Sequence, residues 1–214
     1  MDNPLSNSSQ SPTRSNSDSS ASPTDNPRHY VFRVGSYYLT IPGVNDNPED
    51  GEKGFGVSEL PPDQQKITNR DYNELNKSRA TSQRHLVNIE ESLGRLETYA
   101  QSRGAEDAVR SIQQDFCDQS RRYTELMKAK LDSKSISNAD PLAPTSASFR
   151  AHTDWGYCMG LKYSYDSDAL KCIERAQGEA NSLFMAQQKE SAATARIIET
   201  VGKAVRARPK NPEG

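Results

Sequence analysis

The sequence predicts a mainly α-helical protein in which an antiparallel helical hairpin and a long third helix form a three-helix bundle or a coiled coil. A small β-hairpin with an aromatic segment and a disordered N-terminal tail complete the predicted fold. Two observations indicate helices: long stretches have apolar residues at spacings of three and four, and only 33% of the residues are hydrophobic, against ~45–50% in typical domains. A thin core of this kind favours elongated helices.

The N-terminal segment, residues 1–28, is predicted to be disordered. It contains nine Ser, four Pro and four Asn and has no aromatic residue. Ordering such a segment costs backbone entropy that no apolar burial offsets. We therefore expect the folded part of the chain to begin after this segment.

Residues 29–63 are predicted to form a β-hairpin followed by a polar loop. The hairpin joins Tyr30–Val34 to Tyr37–Ile41, because both stretches are rich in β-branched and aromatic residues and Gly35 suits the first position of a two-residue turn. An isolated hairpin is marginally stable in water, so we expect it to pack on another element.

Residues 64–132 are predicted to form the helical hairpin. Thr68 and Asp71 have the spacing of a capping box and indicate where the first helix begins. Gly104 separates two apolar seams of different phase, which predicts two antiparallel helices joined by a short turn. The first seam contains Tyr72, Leu75, Arg79, Ser82, Leu86, Ile89, Leu93, Leu96 and Ala100, and the second contains Val109, Ile112, Phe116, Gln119, Tyr123, Leu126 and Lys130.

Residues 133–165 are predicted to be a linker followed by an aromatic segment. Ser, Pro, Asn and Ala dominate the first part, whereas residues 155–165 are the richest aromatic stretch of the chain. Gly156 and Gly160 argue against a helix in this stretch. We expect it to be a turn that caps one end of the bundle, or a third strand beside the hairpin.

Residues 166–208 are predicted to form the long third helix, followed by a short tail at 209–214. Polar residues interrupt its apolar seam, a pattern that fixes register or oligomeric state in coiled coils. Its length of ~60 Å at 1.5 Å per residue exceeds that of either hairpin helix, so we expect its C-terminal part to stay exposed within one chain. The expected association face consists of Phe184, Ile197, Ile198, Val201 and Val205.

The sequence has no recognisable pattern of catalytic or metal-binding residues, so we expect a protein that is not an enzyme and has no cofactor or metal. His29, His85 and His152 are isolated, and His85 is expected on the solvent side of its helix. His152 is close in sequence to Asp154 and Cys158, but this spacing matches neither zinc ligands nor a Cys-His nucleophile. We interpret this group as a structural cap.

Cysteine content and hydropathy bear on the cellular compartment. Three cysteines without a CxxC pair favour a reducing environment. The sequence has neither an apolar run of ~18 residues nor the pattern of a secretory signal at its N-terminus. We therefore expect an intracellular protein without a transmembrane segment, either cytoplasmic or nuclear.

The last 20 residues are basic, a pattern that attracts the phosphates of nucleic acid or anionic lipid. The expected anion contacts are Arg196, Lys203, Arg206, Arg208 and Lys210. Cations near a helix C-terminus also stabilise the helix dipole, and this second interpretation is favoured. The cluster is not accompanied by an RNA-binding aromatic motif or by helix-turn-helix spacing.

Part of the third helix resembles a known family. The stretch Asn181-Ser182-Leu183-Phe184, then Gln187 to Ser191 and an Ala-rich turn, is similar to the long polar helix that precedes the membrane spans of CorA-like proteins. The resemblance covers residues 181–205 and implies a helix there. The sequence has neither the spans nor the Gly-Met-Asn signature of that family, so no residue role is transferred.

Together these patterns predict a helical structural or adaptor protein that acts through association with a partner protein or with itself. The alternative is a nucleic-acid-binding or packaging protein that uses the basic C-terminus. An enzyme, or a soluble helical part related to CorA-like proteins, ranks third.

Overall fold

The computed structural model describes residues 30–34, 37–41, 53–102, 106–133, 135–136 and 142–207. The predicted tails, residues 1–28 and 209–214, lie outside the described residues. The helices of the described part are α1 (Pro62–Ser102), α2 (Asp107–Asp132), α3 (Leu142–Lys162) and α4 (Ser167–Ala207). Its strands are β1 (Tyr30–Val34), β2 (Tyr37–Ile41), β3 (Lys53–Phe55) and β4 (Ser135–Ile136). The predicted mainly helical fold with a β-hairpin is confirmed.

Helix α1 begins at Pro62, six residues before the predicted cap at Thr68. Proline suits the first helical position because an N–H there would have no partner within the helix, and Asp63 suits the positive end of the helix dipole. Thr68 and Asp71 are instead buried on the inner side of α1. The predicted seam is confirmed from Tyr72 to Leu96, because its members in that range are buried.

Helix α2 confirms the predicted seam at Phe116, and Val109, Ile112 and Tyr123 are partly buried against the same core, but the rest of its core-facing stripe differs. Its buried residues are Gln113, Phe116, Cys117, Ser120, Thr124, Met127 and Leu131. Leu126, which was predicted to be buried, is 47% exposed, and Met127 takes its place. Ser120 and Thr124 are buried although they are polar, so the core-facing side of α2 includes these small residues and excludes the larger Leu126.

Helix α3 replaces the predicted linker and aromatic segment, so the prediction of a turn or strand there is wrong. The two glycines lie where α3 approaches its neighbours. A Cβ atom on Gly156 would be 2.2 Å from the Phe116 ring, and one on Gly160 would be 2.8 Å from Cδ2 of Leu170. These glycines therefore permit close helix packing, and they do not end the helix.

The four helices pack as an antiparallel bundle, with α3 added to the three helices that were predicted. Lys128 of α2 binds Glu90 of α1, with 2.5 Å between Nζ and Oε1. Arg175 of α4 lies 3.6 Å from Glu91 of α1. The long helices α1 and α4 also make the most extensive contact, and α4 contains the helix implied by the CorA-like resemblance.

The small sheet covers the half of α1 and α4 that α2 and α3 do not reach. Its strand order is β3-β2-β1-β4, with β1 and β2 antiparallel as predicted and Tyr30 opposite Ile41. Beneath it lies a second apolar core, separate from that of the bundle. The fully or nearly buried members of this second core are Tyr30, Phe32, Leu39, Ile41, Leu60, Tyr72, Leu75, Ile136, Ala193, Ile197 and Val201.

The predicted exposure of the C-terminal part of α4 is therefore wrong. Ile197 and Val201 are fully buried under the sheet, and Ile198 and Val205 are partly buried against the same core. Phe184 is half-buried, with the Arg150 guanidinium 4.7 Å from its ring centroid. The excess length of α4 is matched by α1 and covered by the hairpin, so these residues stabilise the fold.

Candidate interaction surfaces

A buried ion pair lies where the two apolar cores meet. Arg79 of α1 binds Glu190 of α4, with 2.8 Å between Nε and Oε1, and both side chains are almost fully buried. The guanidinium also donates to the Ser133 carbonyl at 3.0 Å and lies 4.6 Å from the ring centroid of Tyr30. Burial raises the pKa of Glu190, and the charge of Arg79 opposes this rise. Arg79 thus joins α4, the end of α2 and the sheet.

His85 lies between α1 and α4 and not on the predicted solvent side. Its Nδ1 is 2.5 Å from Oε2 of Glu179, whose other oxygen accepts from Asn88 Nδ2 at 3.1 Å. Because α1 contacts both α2 and α4, its inward-facing arc is wider than one seam, and His85 falls within it. The arrangement links two helices by hydrogen bonds between side chains.

The predicted anion contacts of the C-terminus are partly neutralised within the chain. Arg196 binds Asp71 at 3.1 Å and Glu74 at 2.6 Å. Lys203 binds Glu199 at 2.6 Å. Arg206 is exposed near the end of α4, whereas Arg208 and Lys210 lie outside the described residues. The ion pairs of Arg196 and Lys203 reduce the positive potential that a phosphate would meet here.

A groove lined mostly by polar and charged residues runs between α1 and α4. Its volume is about 530 Å³, and its lining includes Lys77, Thr81, Asn181, Met185 and Lys189. Met185 is 58% exposed at this groove, but the other lining residues are mostly polar or charged. The groove therefore offers one large exposed apolar side chain among mostly polar residues, which does not distinguish it from an ordinary helix surface.

His152 of α3 lies in a stack of aromatic rings that includes Phe116 of α2. Its ring is 5.0 Å from that of Phe116 and 5.8 Å from that of Trp155, with interplanar angles of 15° and 23°. Its Nε2 is 3.3 Å from the Phe116 carbonyl, which accepts a hydrogen bond from the Nε2–H tautomer. Burial lowers the pKa of His152, and this hydrogen bond opposes the effect. The ring is therefore held neutral at physiological pH.

The predicted group of His152, Asp154 and Cys158 does not act as one site. Asp154 accepts a hydrogen bond at 2.6 Å from Nε2 of Gln177 in α4, whereas Cys158 is exposed. The three side chains belong to the middle of a helix, so they do not form the predicted cap at the end of the bundle. Each has different surroundings, and among the residues that the structure describes no carboxylate orients His152 as a general base.

The solvent-facing side of α3 is apolar over about three turns. Ala151, Trp155, Cys158 and Leu161 are exposed there, Trp155 by 45% and Leu161 by 54%. Lys162 is exposed on the same side, and half-buried Asp154 lies at its border with α4. The sequence did not predict this surface because Gly156 argued against a helix, although Ala151, Trp155 and Cys158 have the helical spacing of four and three. We call the four exposed apolar residues Ala151, Trp155, Cys158 and Leu161 the α3 face.

Comparison with known proteins finds no matching protein family, curated protein or solved structure. Within the described residues, His, Cys, Asp and Glu side chains form no group of three that could hold a metal ion. None of the helices in the described part combines the length and apolarity needed to cross a membrane.

Proposed function

We propose that the protein is a non-enzymatic helical scaffold that acts through protein–protein association at the α3 face. The observation that supports this most directly is the exposure of Trp155 and Leu161 on a helix whose opposite side is packed in the bundle. Large aromatic residues dominate the binding energy of protein interfaces. Stacking on His152 also restrains the Trp155 ring before a partner arrives, which lowers the entropy cost of association.

The remainder of the molecule supports a scaffold because it fixes the position of this face. The α2 side of α3 is held by the stack of His152 on Phe116, and the α4 side by the hydrogen bond from Gln177 to Asp154. Tyr157 adds a hydrogen bond to Glu174 of α4 at 3.1 Å. A surface on a rigid helix presents its contacts more accurately than one on a loop.

Affinity capture with matched variants tests this function. The baits are the full chain, Trp155→Asp on the α3 face and Val87→Asp at another exposed apolar position, which is 50% exposed on α1. Each bait is incubated with native cell extract, with and without nuclease. We expect the wild-type and Val87→Asp baits to retain the same proteins after nuclease treatment, and Trp155→Asp to lose them.

Two results would contradict the proposal. Retention of the same proteins by the Trp155→Asp bait would show that the α3 face is not used. Capture of nucleic acid that weakens steeply with salt would favour the alternative of a nucleic-acid-binding protein, because release of counterions accompanies phosphate binding. Replacing Arg206 by Glu would then reduce the capture.

A further inference from the structure

We infer that the α3 face binds a second copy of this chain, with the two α3 helices antiparallel about a twofold axis at Cys158. This inference rests on the proposed function and names the partner. Symmetric pairing of identical surfaces is the commonest arrangement in soluble oligomers. Such pairing requires that the surface be complementary to itself.

The α3 face meets this requirement in one register. About a twofold axis at Cys158, residues equally distant from Cys158 in opposite directions face each other across the interface. Trp155 and Leu161 are each three residues from it, and Asp154 and Lys162 are each four residues from it. Trp155 of one copy therefore faces Leu161 of the other, and Asp154 faces Lys162, and both pairs occur twice.

The charges also discriminate between arrangements. A parallel pairing in register would place Asp154 against Asp154 and Lys162 against Lys162, which is repulsive. An antiparallel pairing centred on Trp155 would place Asp154 against Gly156 and Lys162 against Ser148, so no opposite charges would meet. The antiparallel register at Cys158 satisfies the apolar and the charged residues together.

The intrachain contacts of the charged residues permit these pairs. Asp154 uses Oδ1 to accept from Gln177, which leaves Oδ2 for a lysine of the second copy. Lys162 lies over the Tyr163 ring at 5.4 Å on the exposed end of α3, where its Nζ has room for another partner. The proposed ion pairs therefore do not require any described hydrogen bond to break.

Cys158 supplies a geometric test of the axis. Packed helices have axes ~8–10 Å apart and Cα atoms ~2.3 Å from each axis, so residues that point at one another across a twofold axis have Cα atoms roughly 3.4–5.4 Å apart. This overlaps the range of ~4.4–6.8 Å that disulfides require. Cys117 and Cys172 are buried, so Cys158 is the exposed thiol among the three cysteines.

Sedimentation of the full chain under reducing conditions tests the association itself. We expect a dimer that dissociates on dilution within about 1–100 µM, and Lys162→Asp should weaken it by about tenfold or more because two attractive pairs become repulsive. Asp154→Lys should do the same, and the double variant Asp154→Lys/Lys162→Asp should restore most of the affinity. Arg84→Asp, a charge reversal at an exposed position on α1, is the matched control and should have no effect.

Oxidation by diamide tests the position of the twofold axis. Two thiols form one S–S bond, and diamide takes up the two hydrogen atoms that they lose. We expect a covalent dimer through Cys158 that retains native circular dichroism. Cys158→Ser should abolish the crosslink and keep the non-covalent dimer. A wild-type chain that stays monomeric at about 100 µM, or a double variant without rescue, overturns the inference.

The proposed function can survive this failure. If the chain is monomeric and yet Trp155→Asp loses captured proteins, a different protein occupies the α3 face. A monomer whose Trp155 emission shifts when residues 1–28 are removed would show that the chain's own N-terminal segment covers the face. Either result overturns self-association. Neither result contradicts the scaffold function, so the two failures can be distinguished.

Discussion

Single residues set how closely the helices approach, and Gly156 is the clearest case. It lies opposite Phe116, whose ring would be 2.2 Å from an added Cβ atom. Phe116 is only 2% exposed and packs among residues of the bundle core, so its ring has little room to move. The absence of a side chain at Gly156 therefore determines the distance between α2 and α3.

Gly156→Ala is expected to destabilise the protein although alanine favours helix. The gain of ~1 kcal/mol in helix propensity is outweighed by overpacking, which costs ~1–3 kcal/mol in a packed core and more where a ring must be displaced. Gly178→Ala is the control, because an added Cβ there meets nothing within 4 Å, and it should stabilise by up to ~1 kcal/mol. Urea unfolding measures both changes, and equal effects would contradict the packing role of Gly156.

His152 gives the molecule a titration that can be observed directly. Its pKa lies below the ordinary 6.5 because of burial, and its ring stacks on Trp155, which is the chain's single tryptophan. A protonated imidazole quenches a neighbouring indole. We expect Trp155 fluorescence to fall with a midpoint below pH 6.5, to stop titrating in His152→Gln, and to titrate normally in His85→Gln.

The same shift predicts how stability depends on pH. The unfolded chain binds a proton at His152 near pH 6.5, whereas the folded chain resists protonation until a lower pH. The contribution of neutral His152 to stability is therefore complete above pH 6.5 and is lost as the pH falls through the folded-state pKa. His152→Gln should show a smaller loss of unfolding free energy over this window, and an unchanged loss would contradict this origin.

At the scale of elements, the sequence predicts the helices and strands whose packing follows the periodicity of apolar residues. The seam of α1 and the strands of the hairpin were predictable because Leu86, Ile89 and Leu93 repeat at helical spacing and Tyr30–Val34 is rich in β-branched and aromatic residues. Helix α3 was not predictable because glycine has a low helix propensity. In the fold, Gly156 instead permits the close approach of α3 to α2. Since the α3 face depends on α3, it could not be predicted either.

The position of α4 was mispredicted for a different reason. Ile197 and Val201 have the spacing of an association face, and only the tertiary fold shows that the β-hairpin covers them. The hairpin itself was predicted, and so was its need to pack on another element. Which helices it covers depends on contacts between β1 and residues of α4 more than 150 positions away, which local patterns do not contain.

The Arg79–Glu190 pair joins these elements and predicts strong coupling. Arg79→Met should destabilise by ~3–5 kcal/mol, because it leaves Glu190 buried without its cation. The double variant Arg79→Met/Glu190→Met should lose less, since both charges are removed and apolar volume remains. Lys203→Met, which breaks an exposed pair with Glu199, is the control and should change the denaturation midpoint little. A double variant that loses the sum of the two single effects would contradict the coupling.

At the scale of the whole molecule, two apolar cores share α1 and α4. The bundle core is completed by α2 and α3, and the second core by the sheet. The fold therefore depends on contacts between segments that are far apart in sequence, because β1 near residue 30 covers α4 near residue 200. The hairpin is an integral part of the fold and not an accessory to it.

Two N-terminal truncations distinguish this arrangement from an independent hairpin. A chain that begins at residue 29 should melt within about 2 °C of the full chain, because residues 1–28 contain few apolar residues to bury. A chain that begins at residue 42 loses Tyr30, Phe32, Leu39 and Ile41, each at most 2% exposed, and burial of such side chains contributes ~1.5–3 kcal/mol apiece. Its melting midpoint should fall by more than ~10 °C, and the uncovered Ile197 and Val201 should bind a hydrophobic dye.

Differential scanning calorimetry measures the melting midpoints of both truncated chains. A large fall in the first truncation would show that the N-terminal segment packs on the fold, whereas an unchanged midpoint in the second would show that α1 and α4 are stable without the sheet.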